Sequence, residues 1–178
     1  MRYLKIHAQD VLDDDAPDTI YLDFYDDSSS PHTRVKRAVA FDITEDGKLD
    51  WVIADDMNGD GVIDRKDDKL AIELAQMFLL FNWYSVDAPF DKYLKISAED
   101  FDADGNPDTV RMHFHQGEGD PRDETIAYGA SFYTNGDGTG EGEAINFDVN
   151  NNNKVDREDS DLVKAFARCF LKFGWFGK

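Results

Sequence analysis

The chain has 178 residues, 41 % apolar and 13 % aromatic, which is enough for a packed core and too rich in rings for a disordered acidic tail. Thirty-eight acids against 19 Lys and Arg leave a net charge of −19, which repels nucleic acid and anionic membranes and asks for cations or a basic partner. No run approaches the roughly 18 apolar residues of a membrane helix, and the lone Cys169, in an apolar helical pattern, leaves no disulfide framework within the chain.

Leu4 and Ile6 alternate with polar residues, which predicts a half-buried first strand. An Asp-rich loop follows, and then Ile20, Leu22 and Phe24 alternate with Thr19, Tyr21, Asp23 and Tyr25 as a second strand. A loop with Pro31 leads to a third strand over 35–43, and Asp46-Gly47 signals a hairpin turn. A fourth strand over 49–54 runs into a second acidic loop, after which Leu70, Leu74, Met77, Phe78 and Phe81 recur at helical spacing.

The rest of the chain repeats this order. Residues 3–25 lie over 93–115 with 11 of 23 identical, and 56–84 lie over 148–176 with 11 of 29 identical. Two matches in the same order mark a duplication. Pro121 stands where Pro31 does, a third strand is expected over 125–133, and Leu162, Phe166, Phe170 and Phe173 form the second helical stripe. Gly174 before Trp175 reads as a glycine cap at a helix end. The expected fold class is α+β: two homologous halves, each an antiparallel β-sheet followed by a calcium loop and one α-helix. The boundaries are 1–84 for the first repeat, 85–92 for a linker and 93–178 for the second. Paired loop-helix units usually meet, which favours one compact unit over two separate domains.

The loop DMNGDGVIDRKD carries the chemistry. Asp56, Asn58 and Asp60 alternate, Gly61 allows a sharp turn, Val62 offers a carbonyl, and Asp64 and Asp67 return at positions 9 and 12. Calcium takes six to eight oxygen ligands, and this spacing wraps them around one point. Ile63 at position 8 is expected in the core, and Asp64 as helix N-cap. The second half answers with DVNNNNKVDRED: Asp148, Asn150, Asn152, Lys154 through its carbonyl, Asp156 and Asp159, with Asn153 at the turn. Both loops resemble the EF-hand calcium loop, and more closely the loop-helix half of a dockerin repeat, where position 12 is Asp and only the exiting helix is present. The resemblance covers about 28 residues per half. It implies metal binding. The two loops stand 92 residues apart, so it does not imply the assembly role of dockerins.

A shorter loop lies between the first two strands of the second half. Asp100, Asp102, Asp104, Asn106 and Asp108, with Gly105, spell D-x-D-x-D-G-x-x-D, which looks like the calcium hairpins of FG-GAP-type β-propeller repeats. Its counterpart in the first half keeps Asp10, Asp14 and Asp18 but has Leu12 and Asp15 at the places of Asp102 and Gly105. The expectation is Ca2+ at two sites and at up to four. Residues 134–143, with Asp137, Glu141 and Glu143 among glycines, read as a flexible hairpin loop.

No nucleophile elbow, zinc-protease helix, Walker loop or dinucleotide loop occurs. His113 and His115 share a strand face, but the duplication places Asp23 and Tyr25 at those positions. His7 and His32 are the other histidines. Tyr21, Tyr25, Trp83 and Trp175 are expected to close a helix–sheet seam before they form a contact for a protein or glycan partner. The sequence therefore leads to a non-enzymatic, calcium-binding structural or interaction module with no nucleic-acid or membrane partner. A secreted setting, extracellular or periplasmic, is favoured, although MRYLKIH has no leader-like apolar run. A cytosolic calcium buffer or sensor, and a calcium-stabilised enzyme, are the alternatives.

Overall fold

The computed structural model describes residues 1–28, 33–85, 91–117 and 125–176. Pro31, His32, Pro121 and most of the expected linker lie outside these residues. The elements in chain order are β1 (Arg2–Gln9), β2 (Thr19–Asp26), β3 (Arg34–Phe41), β4 (Trp51–Ala54), α1 (Arg65–Leu79), β5 (Lys92–Glu99), β6 (Thr109–Gln116), β7 (Ile126–Thr134), β8 (Gly142–Ile145) and α2 (Arg157–Leu171).

The expectation of a separate sheet in each half is overturned. All strands join one eight-stranded antiparallel sheet in the order β4-β3-β2-β1-β5-β6-β7-β8. The join is the β1–β5 ladder, with Leu4 opposite Ile96, Lys5 opposite Lys95 and Ile6 opposite Leu94. A separate four-stranded sheet would leave β1 and β5 as long apolar edges with unpaired N–H and C=O groups, and pairing them with each other removes both edges.

Alternation along each strand sends one set of side chains toward the helices. Leu4, Ile6, Ile20, Leu22, Phe24, Leu94, Ile96, Val110, Met112 and Phe114 are buried there in one cluster with Leu74, Phe78, Phe166 and Phe170. Both helices therefore share one core on one face of the sheet. Each half also fastens a tryptophan onto the other: Trp83 Nε1 donates to the His115 carbonyl and Trp175 Nε1 to that of Tyr3. These two close the seam. Tyr21 and Tyr25 lie on the opposite face, stacked on His7 and Tyr3.

Candidate metal centre

Both helices start at the acidic loops. Asp64 and Asp156 cap α1 and α2, and each takes part in a reciprocal capping box with the residue three places on, Asp67 and Asp159. Asp67 is fully buried. Its Oδ1 accepts from the N–H groups of Met57 at 2.7 Å and Asn58 at 3.1 Å, and its Oδ2 from that of Asp64 at 2.8 Å. Burial works to raise its pKa, but the N–H groups of Asp64, Asn58 and Met57 outweigh it and hold the carboxyl below its ordinary value. Asp159 receives Val149, Asn150 and Asp156 in the same way. The position-12 carboxylates thus brace loop to helix. The apolar anchors are Met57 and Val149 at position 2, both buried. Ile63, expected in the core, is 66 % exposed, because the capping turn points position 8 outward.

At the head of the loop, Asp56 Oδ2 accepts from Gly61 at 2.8 Å and its Oδ1 from Gly59 at 2.7 Å. Asn58 Oδ1 accepts the Asp60 N–H, and Asp60 Oδ1 that of Val62. Lys66 Nζ stands 3.7 Å from Asp60 Oδ2 and 3.6 Å from Asp64 Oδ2, an ammonium beside two of the expected ligands. In the second loop Asp148 receives Asn152 and Asn153, Asn150 receives Asn152, and Lys154 Nζ lies 3.8 Å from Asp156. Asn151 and Asn153 take left-handed backbone, φ 56° and 67°, where the first loop has Gly59 and Gly61. This second loop is tied to the end of α1. Asn82 donates to the Asn150 carbonyl, and Asn151 donates to that of Phe81.

The tightest carboxylate groups lie in the shorter hairpins. Among the described residues, ligand oxygens fall within 4.8 Å of one another in Asp100, Asp102 and Asp104, and in Asp10, Asp14 and Asp18. Two oxygens on one calcium are at most about 5 Å apart, so both spans suit a central ion. In the first group Asp100 Oδ2 accepts from Gly105 at 2.9 Å, while its Oδ1 is buried with no hydrogen-bond partner. The Asp104 N–H lowers the pKa of Asp102, but desolvation and the charges of Asp104 and Asp108 push it above its ordinary value. Asn106 donates its N–H to Asp104, and Asp108 Oδ2 accepts from Phe101, which leaves Asp108 bracing the hairpin. In the first half Asp10 receives Asp13, Asp14 and Asp15, and Asp18 receives Val11 and Leu12.

One loop of this kind escaped the sequence reading. Residues 42–50, DITEDGKLD, form more than a hairpin turn. Asp42 Oδ2 accepts from Gly47 at 2.7 Å, and Glu45 and Gly47 are left-handed, as Ala103 and Gly105 are in the Asp100 hairpin. The signal was present as D-x-T-x-D-G-x-x-D, with Thr44 masking the alternation. The Asp42 N–H donates to the Asp18 carbonyl, so the two hairpins of the first half lie side by side.

Compared with known proteins, the chain matches no family model, no curated protein and no solved structure.

Among the described residues the histidines do not assemble into a comparable group. His115 is buried, with Nδ1 2.7 Å from Thr125 Oγ1, and its ring centroid is 6.3 Å from that of His113. Burial pushes the Cys169 thiol up to about 12, with the Glu73 charge adding to it, so the thiolate is absent at neutral pH.

Proposed function

We infer that this protein is a calcium-binding structural or interaction module without catalytic activity, its stability coupled to Ca2+. The observation that carries the reading is Asp100 Oδ1, a buried carboxylate oxygen without a hydrogen bond, close to the carboxylates of Asp102 and Asp104. An unpaired buried carboxylate oxygen is costly, and two more carboxylates beside it add repulsion. One hard cation among them offsets both. The Asp56–Asp67 and Asp148–Asp159 loops supply two further places, and Asp10, Asp14 and Asp18 a fourth. Each ion also offsets part of the −19 net charge.

The test is thermal unfolding of the whole chain in chelator, magnesium and calcium. At a free ion concentration about 100 times the Kd, one site adds about 2.7 kcal/mol. In a chain of this size that raises Tm by about 5–10 °C. Magnesium, which demands a tighter octahedron, should do much less. A melting curve indifferent to all three overturns the reading. So does reproducible turnover in a broad hydrolase screen that is lost on substituting one acid outside the loops.

A further inference from the structure

β4 is an outer strand of the sheet, with β3 on one side and, among the described residues, no strand on the other. On the face turned away from the helices, Trp51 and Ile53 stand opposite Phe41 and Val39 of β3. Trp51 is 56 % exposed and Ile53 60 %, and the Trp51 ring lies 6.1 Å from that of Phe41. Beside them is a cavity of about 280 Å³ whose lining includes Leu12, Phe41 and Ile43, together with Asp42 and Glu45. A sheet edge with a large apolar flank is a template for another strand.

The second half keeps part of this surface, with Ile145 at the place of Ile53 and Tyr133 at that of Phe41, and lacks the rest. At the matching places of the second half stand Glu143 for Trp51, Asn135 for Ile43 and Asp102 for Leu12. The helix-facing strand positions stay apolar in both halves, so Trp51, Ile43 and Leu12, apolar in the first half alone, answer to something other than folding.

Charge selects the occupant. Asp50 and Asp55 bracket β4 and are exposed, and Glu45 is exposed at the cavity. A second copy would bring its own −19 and the same acids to the contact. In an added strand the apolar side chains would lie on Trp51 and Ile53 and the alternating basic ones would turn to the other face, in phase with Asp50, within the negative field of the chain. We propose that the outer edge of β4, with Trp51, Ile53 and the Leu12–Ile43 cavity, docks an extended segment of a partner protein that alternates apolar residues with Lys or Arg. The segment adds a ninth strand to the sheet.

The probe is a fluorescent peptide of four lysines alternating with valine and isoleucine, titrated with the full-length protein in calcium at about 0.15 M salt. A control peptide keeps the lysines and has serine at the apolar places. The alternating peptide should bind about tenfold tighter than the control, and Trp51→Ser with Ile53→Ser should lower its affinity by about tenfold. Ile145→Ser on the opposite edge, in β8, should change nothing. Because Trp51 and Ile53 are more than half exposed, the double variant should melt within several degrees of wild type, so a loss of binding measured well below that Tm is read on folded protein. Failure of the alternating peptide to bind, equal binding of the two peptides, or undiminished binding by the double variant overturns the proposal. So does a wild-type dimer that the double variant abolishes, since the occupant is then a second copy. A calcium-indifferent melting curve with peptide binding intact would overturn the metal reading and leave this one standing.

Discussion

Lys5 and Lys95 stand opposite each other across the β1–β5 seam, and each lays its ammonium over the tyrosine of the other half. They occupy equivalent places in the two repeats, so the symmetry axis of the sheet runs between them. Like charges directly opposed destabilise a ladder. Here Lys5 Nζ lies 4.1 Å from the Tyr93 ring and Lys95 Nζ 4.8 Å from that of Tyr3, which draws the two charges apart onto π faces. A double-mutant cycle on Lys5→Met and Tyr93→Leu should give a coupling of about 1 kcal/mol. Additive effects would show that the crossed contacts do not hold the seam.

His7 makes stability pH-dependent. Burial, helped by Lys5 and Arg37 and opposed by Asp23, lowers its pKa to about 4. The unfolded imidazole binds its proton near its ordinary value of 6.5. Between those values the unfolded state holds more protons, so the contribution is complete above 6.5 and lost as pH falls toward 4. From pH 7 to pH 4 the loss is about 3 kcal/mol. In chelator, His7→Phe, which can keep the stack on Tyr21, should lose about 3 kcal/mol less than wild type over that range by urea unfolding. Parallel curves would refute the assignment.

Asp67 and Asp60 separate brace from ligand. Asp67→Asn puts an amide donor against N–H groups that Asp67 now accepts, and in chelator it should cost about 1–3 kcal/mol. Asp60→Asn should leave chelated stability within about 0.5 kcal/mol and weaken calcium binding. If Asp67→Asn is harmless in chelator, position 12 acts through the ion alone.

Lys66 Nζ lies beside Asp60 and Asp64 and would compete with an ion held by the first loop. Removing an exposed competitor of this kind is worth about 0.5 kcal/mol, so Lys66→Ala should tighten binding at the first loop about twofold. Unchanged or weaker binding by calorimetry would place the ion elsewhere.

The two loop-helix sites should rank by charge. Beside the bracing position-12 carboxylates, the first loop offers Asp56, Asp60 and Asp64, while the second has Asn152 in place of Asp60. Asp56→Ala should abolish the tighter binding event and Asp148→Ala the weaker. The opposite assignment would show that the clasp between Asn82 and the second loop outweighs the lost charge.

What the sequence determined by itself was local or repeated. The duplication, the order of strands and helix in each half, the N-caps at Asp64 and Asp156, and the left-handed turns at Gly61 and Asn153 depend on neighbours within a few residues. Side-chain period and backbone preference act at that range. The tertiary structure decided what depends on distant neighbours. Whether β1 ends a sheet or continues into β5 is settled by the need to pair two edges 90 residues apart, which leaves no mark on either strand. Met57 rather than Ile63 enters the core because the capping turn sets the direction of position 8. The most regular acidic pattern, 56–67, is not the tightest carboxylate cluster, because two of its acids are taken up in starting α1 and a lysine reaches two of them. A one-dimensional spacing counts oxygens, and only the folded chain shows which of them already have a donor.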